Sequence, residues 1–275
     1  MTSKSILPYR PNKLAYPGST VEPGIDLTHP ASNLLRMSAV FQNGNFIDLT
    51  NGKPATLNGS PSSGLDGNIG PYCLTNPSST DAYFFPGKPT VADTQCTMAV
   101  IVKTGTSVTT NQAFYFMNTT LGNNTLSLSR DNGGTNWRVT SGSSSVIVVT
   151  ISTSNNGHPY FCAASVLTTG IVYMIVRDLM TGQIFTGSAS SGVNAFVSNG
   201  TYQLGNYFSF SVPSTTPLAT GMFSSQAISS GQLLKWADDP WSFWYPQQFD
   251  LAEMLYTVPG AIITGGSTLP VMGVG

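Results

Sequence analysis

The chain has 275 residues, of which 11 are Lys or Arg and 12 are Asp or Glu, so 8% are charged and the formal net charge is −1. Soluble domains ordinarily carry about 25% charged residues; here 33 Ser, 32 Thr, 28 Gly and 18 Pro take that space. This balance excludes a basic nucleic-acid surface and a coiled coil built on Glu, Lys and Arg, and the 40% hydrophobic content excludes a disordered chain.

Residues 1–36 read as a Pro-rich extended arm, with Pro8, Pro11, Pro17, Pro23 and Pro30 removing backbone donors and disfavouring helix. Ile6, Leu7, Tyr9 and Tyr16 give the arm apolar contacts to lay on a neighbouring surface. The opening MTSKSILPYRPNK lacks the apolar stretch of a signal peptide, and no apolar run reaches a membrane-spanning length. The expectation is a protein without a membrane partner, made in a reducing cytosol. Cys73, Cys96 and Cys162 then read as small buried hydrophobes. A single Cys73–Cys162 or Cys73–Cys96 bridge is the alternative.

Residues 37–246 read as a β domain. Ser38–Gln42 is a short strand and Asn43-Gly44 a turn, followed by turn residues from Asp48 to Gly59. Ala82–Phe85, Thr94–Val102 and Ala113–Met117 are strands, the second apolar enough to be buried on both faces. Thr125–Arg130 alternates and places Leu126 and Leu128 inward. A hairpin turn at Asp131 to Gly134 returns the chain antiparallel through Asn136–Val139. Further strands are predicted at Ser145–Ser152, Tyr160–Leu167, Ile171–Arg177, Ile184–Gly187, Thr201–Asn206 and Thr220–Ile228. About a dozen short strands at this spacing define an all-β sandwich or jelly roll.

One helix is predicted, from a Ser229 or Ser230 cap to Pro240. The densest aromatic cluster follows, with Trp241, Phe243, Trp244 and Tyr245. Residues 247–275 form an apolar arm without charge after Glu253, in which Leu255, Tyr256, Ile262 and Ile263 are candidate contacts with an assembly partner.

The segment Gly221-Met-Phe-Ser-Ser-Gln-Ala-Ile-Ser-Ser-Gly-Gln-Leu-Leu-Lys-Trp-Ala-Asp-Asp-Pro-Trp-Ser-Phe resembles a closing signature in which a core strand leads to a short helix, Asp-Pro-Trp and an aromatic. With the strand order before it, the stretch 35–246 resembles the concanavalin A-like lectin/glucanase fold, in the laminin-G-like version found in bacteriophage virion proteins. The resemblance implies an antiparallel β-sandwich with one short C-terminal helix. It also implies a virion surface protein assembled in the host cytoplasm. The leading expectation is a capsid decoration (cement) protein that binds the major capsid protein or other virion proteins through its arms, as a homo-oligomer. The alternative is a tail-fibre or receptor-binding lectin module that attaches to host polysaccharide.

Glucanases of this fold carry closely spaced acids on one strand, and glycoside hydrolysis needs two carboxylates around the bond. This chain has only Glu22 and Glu253, both in the arms, so the expectation is no catalytic residue and no enzyme. His29 and His158 each lie beside Pro in turns and read as structural. No cofactor is expected. Laminin-G-like domains sometimes bind Ca²⁺, which needs several hard oxygen ligands. Asp66, Asp81, Asp93 and Asp131 stand singly, and Asp238-Asp239 is the one acidic pair. Trp137, Trp241, Trp244 and Tyr245 are the candidate glycan-stacking or interface aromatics.

Overall fold

The apolar runs become strands because β-branched and aromatic side chains pack well on a pleated surface. The computed structural model describes residues 13–18, 21–74, 82–85, 94–105, 112–118, 126–130, 136–141, 146–152, 156–190, 201–205 and 217–246. In the first third of the chain these contain β1 (Leu35–Gln42), β2 (Asn45–Asp48), β3 (Lys53–Pro54), β4 (Thr56–Asn58), β5 (Ser62–Asp66), β6 (Gly70–Leu74) and β7 (Ala82–Phe85). The middle holds β8 (Cys96–Lys103), β9 (Gln112–Asn118), β10 (Leu126–Arg130), β11 (Asn136–Ser141) and β12 (Val146–Ser152). Then come β13 (Pro159–Val166), β14 (Ile171–Asp178), β15 (Ile184–Ser190), β16 (Thr201–Gly205), β17 (Leu218–Ser224) and the helix α1 (Ser230–Asp238).

The strands form two antiparallel sheets. The larger runs β15-β14-β13-β8-β17-β1-β2-β3, with β6 beside β17 and β5 beside β6. The smaller runs β12-β11-β10-β9-β16-β7-β4. The Asn43-Gly44 turn joins β1 to β2 with φ of +50° and +84°, the left-handed pair that suits a tight hairpin. It sets Phe41 opposite Phe46, with ring centroids 5.2 Å apart.

One face of the larger sheet packs on the smaller. Met98, Val100, Cys162, Ala164 and Phe223 share a buried cluster with Leu128, Trp137, Val139, Tyr202 and Leu204. The approach is close at Gly221, where an added Cβ would lie 2.5 Å from a Leu204 methyl. All three cysteines are free and buried, so neither bridge forms, and burial pushes the Cys162 thiol well above its ordinary value.

The other face of the larger sheet is covered too, which explains why every residue of β13 is buried. Its cover is a third layer made from α1, residues 239–246 and the segment before β1. Trp236 of α1 packs on Phe161 at 5.1 Å. Tyr16 packs edge-on to Trp241 at 5.4 Å and to Tyr245 at 5.8 Å. The backbone is fastened as well: Trp241 Nε1 donates to the Leu14 carbonyl at 3.2 Å, and the Gly24 amide donates to the Trp244 carbonyl at 2.8 Å. The sequence read this stretch as an arm for a neighbour; its described part lies on its own chain.

Several elements depart from the sequence expectation: β2 was not among the predicted strands, and β3 and β4 fall in the stretch 48–59 that reads as turn. The hairpin β5–β6 was not foreseen, because Ser62-Ser-Gly-Leu-Asp carries no β-branched residue. Gly64 makes room there for the cross-strand Tyr72 ring, which would meet a Cβ at 2.5 Å. The expected strand at Thr220–Ile228 starts earlier and ends at Ser224, where the Ser224 hydroxyl turns to the Asn33 carbonyl at 2.7 Å.

Candidate functional site

α1 begins where Ser229 and Gln232 form a capping box. The Ser229 hydroxyl accepts from the Gln232 amide at 3.3 Å, and Gln232 Oε1 accepts from the Ser229 amide at 2.8 Å. This satisfies the orphan donors of the first turn. Leu233, Trp236 and Ala237 face inward, and Leu234 remains 42% exposed. The helix lies over β14 and β13 near the end of the larger sheet, where among the described residues β15 pairs with β14 alone.

Between this helix and the β14–β15 edge runs a groove of about 420 Å³. Tyr173 of β14, Thr186 and Ser188 of β15, and Ser230, Leu233 and Leu234 of α1 line it. The pairing register sets Tyr173 opposite Ser188. Thr186 and Ser188 share a strand face because side chains alternate with a period of two. Both are exposed, Tyr173 is half-buried, and Gly187 lies between them without a side chain. Among the described residues no hydrogen bond engages the hydroxyls of Tyr173, Thr186, Ser188 or Ser230. Among the described residues no charged side chain lines the groove. The nearest cation along β14, Arg177, is held by Asp238 at 3.1 Å.

A polar cluster runs from the buried Arg130 and Asp178 out to the partly exposed His158 and the exposed Asn156. Arg130 is fully buried, its guanidinium carbon 5.5 Å from the Trp137 ring centroid and 5.9 Å from that of Tyr160. Its Nη2 donates to Asn156 Oδ1 at 2.9 Å. His158 Nδ1 lies 2.8 Å from Asp178 Oδ2. Asp178 Oδ1 accepts from the Met180 and Thr181 amides at 2.8 and 3.0 Å. The Asp178 carboxylate therefore ties the β14–β15 turn to the loop before β13.

The sequence-derived site residues fall elsewhere. Trp137, Trp241 and Trp244 have no exposed surface and Tyr245 has 3%, so none offers a ring face to a glycan. Trp137 is in the inter-sheet core; the others sit in the third layer, because α1 turns their segment back across the larger sheet. Burial pushes the Tyr245 phenol up, and its neighbour Tyr16 adds to this. Tyr16, expected to touch a neighbouring subunit, spends its ring on Trp241 and Tyr245. Ile6, Leu7, Tyr9, Leu255, Tyr256, Ile262 and Ile263 lie outside the described residues. So do Asp81, Asp93 and Asp131 of the calcium candidates.

Of the remaining acids, Asp66 bonds Lys103, and Asp238 bonds Arg177 while the adjacent Asp239 amide closes α1 on the Trp236 carbonyl at 3.0 Å. Among the described residues no set of three or more His, Cys, Asp or Glu side chains converges on a metal-sized site. Sequence reasoning passed over the groove residues. Tyr173 stood in a β-rich run, and nothing in the sequence separates its half-buried face from a core position.

No family model matches the sequence, and no curated protein does. The structure is similar to the binding domain of botulinum neurotoxin serotype D, with a TM-score of 0.55 and 10% identity over 78% of this chain and 53% of that chain. It is similar to domain 4 of AbnA, a GH43 extracellular arabinanase from Geobacillus stearothermophilus, solved in complex with arabinotriose. There the TM-score is 0.54 and the identity 20%, over 74% of this chain and 98% of that chain. A sialidase from Trypanosoma rangeli matches with a TM-score of 0.55 and 13% identity, over 83% of this chain and 37% of that one. The chain spans about half the length of the neurotoxin binding domains it matches. These likenesses establish the fold: an all-β antiparallel sandwich.

Proposed function

We propose that this chain is a non-enzymatic carbohydrate-recognition module displayed on a bacteriophage virion, attaching it to host surface polysaccharide. The groove between α1 and the β14–β15 edge carries this reading. Sugar-binding sites combine an aromatic face with a few placed polar groups in a concavity. The volume of about 420 Å³ suits a ligand of a few sugar rings. Support from the fold is the structure of AbnA domain 4, which holds arabinotriose. The bacteriophage setting rests on the resemblance of residues 221–243 to the closing signature of virion laminin-G-like domains. The purified chain, applied to an array of bacterial surface glycans, is expected to bind a restricted set; binding to none would overturn the reading.

The capsid-decoration reading draws on a different observation, the uncharged 22 residues after Glu253, which suit burial in an assembly. Immuno-electron microscopy of virions separates the two: label at the tail tip supports host attachment, and label over the head supports decoration.

A further inference from the structure

We infer that the α1/β14–β15 groove selects neutral saccharides, with a sugar ring stacked on Tyr173 and its hydroxyls read by Thr186, Ser188 and Ser230. This rests on the carbohydrate-recognition reading and assigns its site and ligand class. Three observations support it. First, the groove offers hydroxyl groups that no described residue engages, and each is both a donor and an acceptor. A sugar hydroxyl has the same dual character. Second, Tyr173 stands on the face of β14 opposite Ser188, so a ring packed on the phenol comes within reach of the β15 hydroxyl row. Gly187, between Thr186 and Ser188, adds no side chain to the edge strand at that point. Third, among the described residues no charged side chain lines the groove, and Arg177 beyond it is paired with Asp238 at 3.1 Å. A carboxylate-bearing sugar would lose water there and meet no cation, a cost that a neutral sugar avoids.

The test uses the full chain in isothermal titration against arabinotriose, neutral hexose oligosaccharides, sialylated oligosaccharides and oligogalacturonate. The wild type is expected to bind at least one neutral ligand, with affinity unchanged between about 50 and 500 mM NaCl, because uncharged contacts are not screened. Tyr173→Ala is expected to weaken binding at least tenfold, Tyr173→Phe to retain most of it, and Ser188→Arg to block it. Ser188 is exposed, so the last substitution leaves the core untouched. Neutral-sugar binding that survives both Tyr173→Ala and Ser188→Arg overturns the site while leaving carbohydrate recognition standing. Salt-sensitive preference for the acidic ligands overturns the neutral class. No binding to any member overturns the site together with the proposed function.

Discussion

Arg130 is the residue whose environment most departs from its chemistry. Its alternation with Leu126 and Leu128 puts it on the inward face of β10, and there it is fully buried against Trp137 and Tyr160. Truncating such a group leaves a cavity and strips Asn156 of its partner. Arg130→Ala is therefore expected to lower unfolding free energy by about 3 kcal/mol in urea titration. Arg130→Met, which keeps the apolar volume, is expected to cost less. At Gly221 the constraint is space. Gly221→Val is expected to destabilise by about 1–3 kcal/mol through overpacking against Leu204. The inward parity of Leu128 was legible in the sequence, and Arg130 shares it. The charge hid it, since Arg is almost never fully buried without partners, and the rings that accept it come from other strands. Tyr173 was illegible for the opposite reason: an aromatic in a β-rich run carries no mark of the face on which its neighbours stop.

Among the elements, the segment before β1 is held by contacts that respond to pH. His29 packs at 4.4 Å from Trp236 and 5.2 Å from Phe243, and its Nδ1 accepts from the Ala31 amide. Burial pulls its pKa down from 6.5 to about 4, with Asp26 opposing and Lys235 adding to the fall. The unfolded chain then binds the proton more readily. Stability is complete above pH 6.5, declines as pH falls towards about 4, and levels off about 3 kcal/mol lower. Denaturation midpoints across this range are expected to show the decline in the wild type and lose most of it in His29→Phe.

Asp66 acts in a lower window. Burial raises its pKa, but the Lys103 hydrogen bond, the Asn68 and Ile69 amides and the Lys103 charge outweigh this and hold it below 3.8. The stability this contributes is present above 3.8 and is lost as pH falls through the depressed value. At the helix, Ser229→Ala removes half of a capping box and is expected to cost about 1 kcal/mol. The helix was the most legible element, because its cap, apolar face and Pro240 all agreed. The hairpin β5–β6 was the least, because Gly and Ser carry no strand signal.

For the whole molecule, sequence reasoning reached the sandwich through local signals, since most strands, the Asn43-Gly44 turn and the β10–β11 pairing follow from alternation and turns. It did not reach the third layer. That layer depends on Leu14, Tyr16 and His29 finding Trp236, Trp241 and Tyr245 more than two hundred positions later, contacts no local pattern records. The groove was hidden for a related reason: it joins β14 and β15 to a helix some 40–60 positions further on, and it depends on α1 being laid across β13 and β14, which no local pattern records. Three of the aromatics the sequence offered for ligand binding, Trp241, Trp244 and Tyr245, pack in the layer that holds the helix, and Trp137 lies in the inter-sheet core; Tyr173 lines the groove instead.

The most direct test is an amide-detected NMR titration of the full chain with the neutral saccharide that binds most tightly. The account predicts shift changes confined to β14, β15 and the first turns of α1, around Tyr173, Thr186, Ser188 and Ser230. Changes centred elsewhere, with these amides unmoved, would contradict it.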